Sequence, residues 1–171
     1  MINEKVVALI NTQINKELFS AYLYLYFANR FSEAGLDGFA HWYTIQAQEE
    51  RDHAMLFLKY LQINDAKVVF EMIEKPTTDA QTLLDILNVG LAHEHYVTSL
   101  IHAIYDAASS IKDYRTMQFL DWFVKEQCEE EKNATELIKK MKLFGSDPRG
   151  LYALDQELGA RLYSAPSLVL D

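Results

Sequence analysis

Residues 39–60 read FAHWYTIQAQEERDHAMLFLKY. Phe39, Tyr43, Phe57 and Tyr60 recur at the three- and four-residue spacings of one α-helix face. Gln46, Glu50 and His53 fall in the same register and interrupt that apolar face near its middle. Residues three apart nearly eclipse along a helix, so Glu50 and His53 project to the same side. The segment therefore predicts a helix that carries a carboxylate and an imidazole into the core its aromatic rings help to build.

The same interruption recurs in three other segments. Upstream, the stripe Val7, Ile10, Ile14, Ala21, Tyr24 and Ala28 is broken by Glu17. Downstream, Leu83, Leu87, Gly90, Val97, Ile101, Ile104 and Ala108 flank Glu94, and Leu120, Phe123, Ala134, Leu137 and Met141 flank Gln127 and Glu130. Asn3 caps the first helix, the turn Gly35-Leu36-Asp37-Gly38 offers Asp37 as a cap for the second, and Thr78-Asp-Ala-Gln81 has the form of a capping box for the third. Asp147 and Pro148 open a last, short helix. The expected helices span about 4–33, 38–63, 79–108, 114–143 and 148–163 within a single domain, 1–171. Short turns make the first and second pairs of helices antiparallel, whereas residues 65–77 can span ~43 Å when extended, about the length of a ~29-residue helix. The fold class is all-α: a four-helix bundle with one long crossover and a short fifth helix.

Composition agrees. Six Gly and three Pro in 171 residues favour helix over sheet. Lys and Arg number 16 against 25 Asp and Glu, a net charge of -9 that repels nucleic-acid backbones and attracts cations. No stretch reaches the ~20 apolar residues of a membrane span, and the first residues read as mature protein rather than a targeting segment. The single Cys128 excludes an intrachain disulfide framework and fits a reducing, cytoplasmic setting. No repeat or low-complexity segment is present.

Four polar interruptions at matching depth gather carboxylates around one interior point. Carboxylates in a dry core raise one another's pKa and require protons or a compensating cation. Carboxylates joined to one imidazole suit a pair of iron ions, because hard oxygen ligands accommodate both ferrous and ferric states. The bland alternative reads these residues as ordinary charged helix positions, which fits Glu-x-x-His alone better than it fits all four breaks together.

Asn15-Lys-Glu17-Leu-Phe-Ser-Ala-Tyr-Leu-Tyr24, Gln48-Glu-Glu50-Arg-Asp-His53, Glu94 and Trp122-Phe-Val-Lys-Glu-Gln-Cys-Glu-Glu130 together resemble the bacterial non-haem ferritins over essentially the whole chain. The resemblance implies a ferritin-like bundle in which Glu17, Glu50 and His53 hold a first iron. Glu50, Glu94, Gln127 and Glu130 would surround a second, with Glu50 bridging and Tyr24 hydrogen-bonding beside the pair. It further implies a third iron site at Glu49, Glu126, Glu129 and Glu130, a ferroxidase using dioxygen or peroxide, cytoplasmic iron storage, and a shell of 24 identical subunits. Arg51 stands where haem-binding relatives place a ligating Met, so no haem is expected. Gln127-Cys-Glu-Glu130 replaces the second Glu-x-x-His of bacterioferritins and di-iron oxygenases.

Two other functions remain open on sequence alone: a small di-iron enzyme acting on an organic substrate or peroxide, and a scaffold that sequesters cations without oxidising them. Cys128, His41, His93, His95 and His102 receive no assignment, and Tyr22, Tyr26, Phe27 and Trp122 are expected to pack helices or subunits.

Overall fold

The computed structural model describes residues 2–170. Five helices follow in order: α1 (Glu4–Glu33), α2 (Asp37–Ile63), α3 (Leu83–Ser110), α4 (Tyr114–Phe144) and α5 (Pro148–Gly159). Side-chain caps start most of them. Asn3 Oδ1 accepts from Lys5 N at 2.9 Å, Asp113 Oδ1 from Thr116 N at 3.1 Å, and Asp147 Oδ2 from Gly150 N at 2.8 Å. The first three helices end alike, on a residue of positive φ: Gly35 (75°), Asp65 (52°) and Lys112 (58°). In each case the next amide bonds back to the last turn, Leu36 N to Phe31 O, Ala66 N to Leu61 O and Asp113 N to Ala108 O.

The helix boundaries differ from the sequence expectation in three places. Asp37 does not cap α2: the N-cap residue is Leu36, which makes no side-chain cap bond, and Asp37 lies in the first turn. The donor is satisfied from elsewhere in the chain, since Phe39 N bonds to Asp155 Oδ1 of α5 at 3.0 Å. The third helix begins at Leu83 rather than near residue 79. Its capping box is Thr82 and Asp85, with Asp85 N to Thr82 Oγ1 at 3.1 Å and Thr82 N to Asp85 Oδ2 at 2.9 Å. Thr78 instead closes a local turn by accepting from Ala80 N at 3.1 Å. The fifth helix stops at Gly159, short of residue 163, and the chain after it turns back towards α2.

α1 pairs with α2 and α3 with α4, each across a short turn. Tyr60 near the end of α2 bonds to Thr116 near the start of α4 (2.9 Å), so those two helices run antiparallel. From the end of α2 to the start of α3 the crossover runs alongside α1 in the same direction as that helix. Asn11 holds it at Lys67 O (2.9 Å) and Val69 N (2.7 Å), and Asn15 holds it at Glu71 O and Met72 O (3.3 and 3.1 Å). The two asparagines are one turn apart on α1 and supply backbone partners that a strandless segment otherwise lacks. Among the described residues no helix is long and apolar enough to cross a membrane.

The core is divided. One apolar cluster joins Phe27, Phe31, Phe39, Tyr43, Ile86 and Leu87 with Leu154 and Leu158 of α5. The other joins Val6, Ile10, Phe57, Ile101, Phe119 and Phe123 at the opposite end. Stacked rings mark both, Phe31 on Phe39 at 4.9 Å and Phe57 on Phe123 at 4.1 Å between centroids. Between the clusters lies a polar layer. α5 closes the first cluster by direct backbone approach, because a Cβ placed on Gly38 would fall 1.7 Å from Asp155 O. Gly38→Ala should therefore undock α5 and cost at least about 1–3 kcal/mol. A clearly lowered denaturation midpoint is expected, and an unchanged one would contradict this account of the α2–α5 contact.

Candidate metal centre

Each long helix sends polar side chains into the layer: Glu17 from α1, Gln46, Glu50 and His53 from α2, Glu94 from α3, and Gln127 and Glu130 from α4, all buried. Ligand-capable atoms converge in two groups, Glu17–Glu50–His53 and Glu50–Glu94–Glu130, and within each group they lie inside 4.8 Å of one another. Glu50 belongs to both. Its Oε2 lies 3.5 Å from His53 Nδ1. Tyr24 OH donates to Glu94 Oε1, and Gln127 Nε2 reaches Glu94 Oε2 at 3.3 Å. Gln46 Nε2 donates to Glu130 Oε2 at 2.7 Å and to Glu50 Oε1 at 3.3 Å, and Gln13 Nε2 donates to Glu17 Oε1 at 2.8 Å. Glu17 Oε2 is buried without a hydrogen-bond partner. An unpaired carboxylate oxygen among other carboxylates is an acceptor arranged for a cation, and the oxygen-rich set with one imidazole suits iron.

Glu49, Glu126 and Glu129 stand outside these two groups. With Glu130, His53 and Trp122 they line a cleft of ≈ 230 Å³ between α2, α4 and residues 161–167. Glu49 is already engaged there, its Oε2 2.5 Å from Arg161 Nη2. Cys128 is exposed. Three of the other four histidines have separate partners: His93 bonds to Ser20 Oγ at 2.7 Å, His95 faces Glu131 at 3.3 Å, and His41 lies 2.9 Å from Arg161 O.

Comparison with known proteins agrees with this geometry. The family described as Ferritin-like domain matches residues 7–144. Bacterial non-heme ferritin of Campylobacter jejuni is 37% identical over 91% of this chain and 93% of its own length. The chain belongs to the non-haem ferritins. A probable bacterial non-heme ferritin-like protein of Haemophilus influenzae is 33% identical over 93% of this chain and 96% of its own. The open pore ferritin of the archaeon Archaeoglobus fulgidus superimposes with a TM-score of 0.92 at 40% identity, covering 95% of this chain and 100% of that one.

Three features in and beside this ferritin's polar layer escaped the sequence reading. Gln46 is visible there as a polar member of the α2 stripe, but its bonds to both Glu50 and Glu130 are not. Gln13 stands one turn before Glu17, a spacing that signals a side-chain pair. Arg161 carries no local signal, since it follows the last helix and reaches α2 only through the fold.

The layer is electrostatically loaded. Burial and then neighbouring carboxylates push Glu17, Glu50 and Glu130 well above the ordinary carboxylate range. Burial also raises Glu94, while hydrogen bonds from Tyr24 and Gln127 act in the opposite direction. Burial, then the charge of Glu94, raises the Tyr24 phenol, so it stays protonated and able to donate. His93, outside the layer, is pushed down to about 4 by burial.

These raised values make stability depend on pH. Folded, the carboxyls hold protons that the unfolded chain has lost. Their contribution is full below the ordinary carboxylate range and declines as pH rises through the raised values. The metal-free protein should therefore melt at lower temperature at pH 8 than at pH 5.5. Glu17→Gln should flatten the slope, and a divalent cation should restore the midpoint at pH 8. A melting temperature equally steep in pH with and without Glu17 would refute this assignment.

Proposed function

We propose that this chain is a ferroxidase and iron-storage subunit that binds two ferrous ions between its helices, oxidises them and passes ferric iron into a mineral core. The observation that carries the reading is the pair of carboxylate groups sharing Glu50, with the free oxygen of Glu17 on one side and the tyrosine-bonded Glu94 on the other. Glu17, Glu50 and His53 would hold one ferrous ion. Glu50, Glu94 and Glu130, with Gln127 beside them, would hold the other. Glu49, Glu126 and Glu129 would form a third iron position with Glu130, lying on the outer cleft.

The balance of the step is simple. Two ferrous ions each give up one electron, and dioxygen takes both with two protons to leave as hydrogen peroxide, which can itself oxidise further ferrous iron. The carboxylates neutralise the metal charge as it rises. Gln13 and Gln46 orient Glu17, Glu50 and Glu130 while adding no charge of their own. Tyr24 keeps Glu94 in one orientation through its hydroxyl.

Storage requires confinement, and we assign it to a closed shell of 24 copies. Exposed apolar side chains on α1 and the crossover support assembly: Tyr22 and Leu25 on the helix, Phe70 and Met72 on the crossover, the last 80% exposed. The acidic balance of -9 favours gathering of ferrous ions.

Two outcomes are expected. Glu50→Ala should retain the helical fold and slow the initial aerobic oxidation of ferrous iron by at least about tenfold, as loss of a shared ligand does. Undiminished oxidation in that variant would exclude Glu50 as the bridge. On aerobic loading of metal-free protein, iron should co-migrate with assemblies of about two dozen subunits and climb far beyond the proposed binding positions. Saturation at those positions, with the remaining iron precipitating outside, would rule out storage while leaving oxidation intact.

A further inference from the structure

The segment after α5 does not leave the bundle. It runs back over the α2–α4 face, where Tyr163 OH donates to Asp52 Oδ2 (2.5 Å) and Trp122 Nε1 donates to Ser167 Oγ (2.9 Å). Leu168 and Leu170 then pack against the second apolar cluster. The segment thus closes the outer side of the cleft lined by Glu49, Glu126, Glu129 and Glu130.

Arg161 is the one guanidinium or ammonium group among the described residues lining that cleft. It is held on several sides. Nη2 pairs with Glu49 Oε2 at 2.5 Å, Nη1 donates to Gln46 Oε1 at 2.9 Å and Trp42 O at 3.3 Å, and the guanidinium lies 4.4 Å from the centre of the Trp42 ring. Its side chain is 20% exposed and that of Glu49 16%, so the pair is sheltered rather than a solvated surface contact. Through Gln46 the guanidinium also orients the polar layer: with Oε1 turned to Arg161, the amide Nε2 must face Glu130 and Glu50.

We propose that Arg161 is the resident counter-cation of the outer cleft, and that a metal cation occupies the third position only by displacing the guanidinium from Glu49. The inference rests on the third iron position assigned above. The reason is steric and electrostatic. A metal ion bound to Glu49 Oε2 would sit about 2.0–2.2 Å from it, in the space that Arg161 Nη2 now fills, and the fixed positive charge beside that oxygen repels the incoming ion. Arg161 thereby makes the outer position weak when the inner pair is being filled, so that cations enter the oxidation site first. It acts as a positioning residue that ranks the sites.

Zinc is a suitable probe because it takes the same ligands and does not change valence. Calorimetric titration of the metal-free assembly with Zn²⁺ should show two tight ions per chain and a weaker third. Arg161→Ala and Arg161→Gln should each tighten the third by at least about tenfold and leave the first two nearly unchanged. Adding Glu49→Gln to either variant should abolish the gain. Arg161→Gln keeps an amide that can bond to Gln46, so it decides the matter if Arg161→Ala folds poorly. In a Trp122→Phe background, Trp42 emission should shift as the third Zn²⁺ binds to the chain with Arg161, and stay still in Arg161→Gln. An unaltered third affinity in the variants, or Trp42 emission indifferent to the third ion, would overturn the proposal. Failure of the first two ions to bind the unsubstituted chain would instead remove the ferroxidase reading itself.

Discussion

Glu17, Glu50, Glu94 and Glu130 share one buried layer, and their mutual repulsion governs the rest of the structure. Ionised carboxylates in such surroundings are unfavourable both individually and together. The chain tolerates them because apolar clusters pack above and below and hold the four helices together on either side of the layer. Stacked and edge-on rings dominate those clusters, and their burial contributes the stability that the layer removes.

The hydrogen-bonding partners of the layer are neutral. Gln13, Gln46, Gln127 and Tyr24 donate to carboxylate oxygens, and among the described residues no Lys or Arg is buried. A buried guanidinium would have quenched the charge permanently. Amides and a phenol fix the direction of each carboxylate while leaving the deficit of positive charge in place, which is the state a transient cation requires. The permanent cation, Arg161, stands outside the layer and touches it only through Gln46.

How much was legible in the sequence depended on the range of the interaction. Helical periodicity is local, so the stripes around Glu17, Glu50, Glu94 and Glu130, the bundle and the crossover could all be read directly. The start of α3 was misplaced because Thr78-x-x-Gln81 and Thr82-x-x-Asp85 both have capping form, and only the latter forms the reciprocal pair. The cap of α2 could not be read at all: its acceptor, Asp155, lies 116 positions away and arrives with α5. Arg161 is similar, meeting Glu49 across 112 positions after a helix that ends earlier than its sequence implied. Long-range polar contacts of single residues leave no period to detect.

The divided core has a consequence for the alignment of the helices. A purely apolar four-helix core is forgiving of axial slip, since one leucine or phenylalanine can replace another after a displacement of one turn, about 5.4 Å. Here such a slip would carry a glutamate out of the polar layer and into one of the ring-lined clusters, away from every donor that now serves it, while pushing a hydrocarbon side chain among the remaining carboxylates. Each helix therefore has one favourable longitudinal setting. The layer serves as a ruler inside the bundle, and the groups that make it costly to bury also make its alternatives costlier.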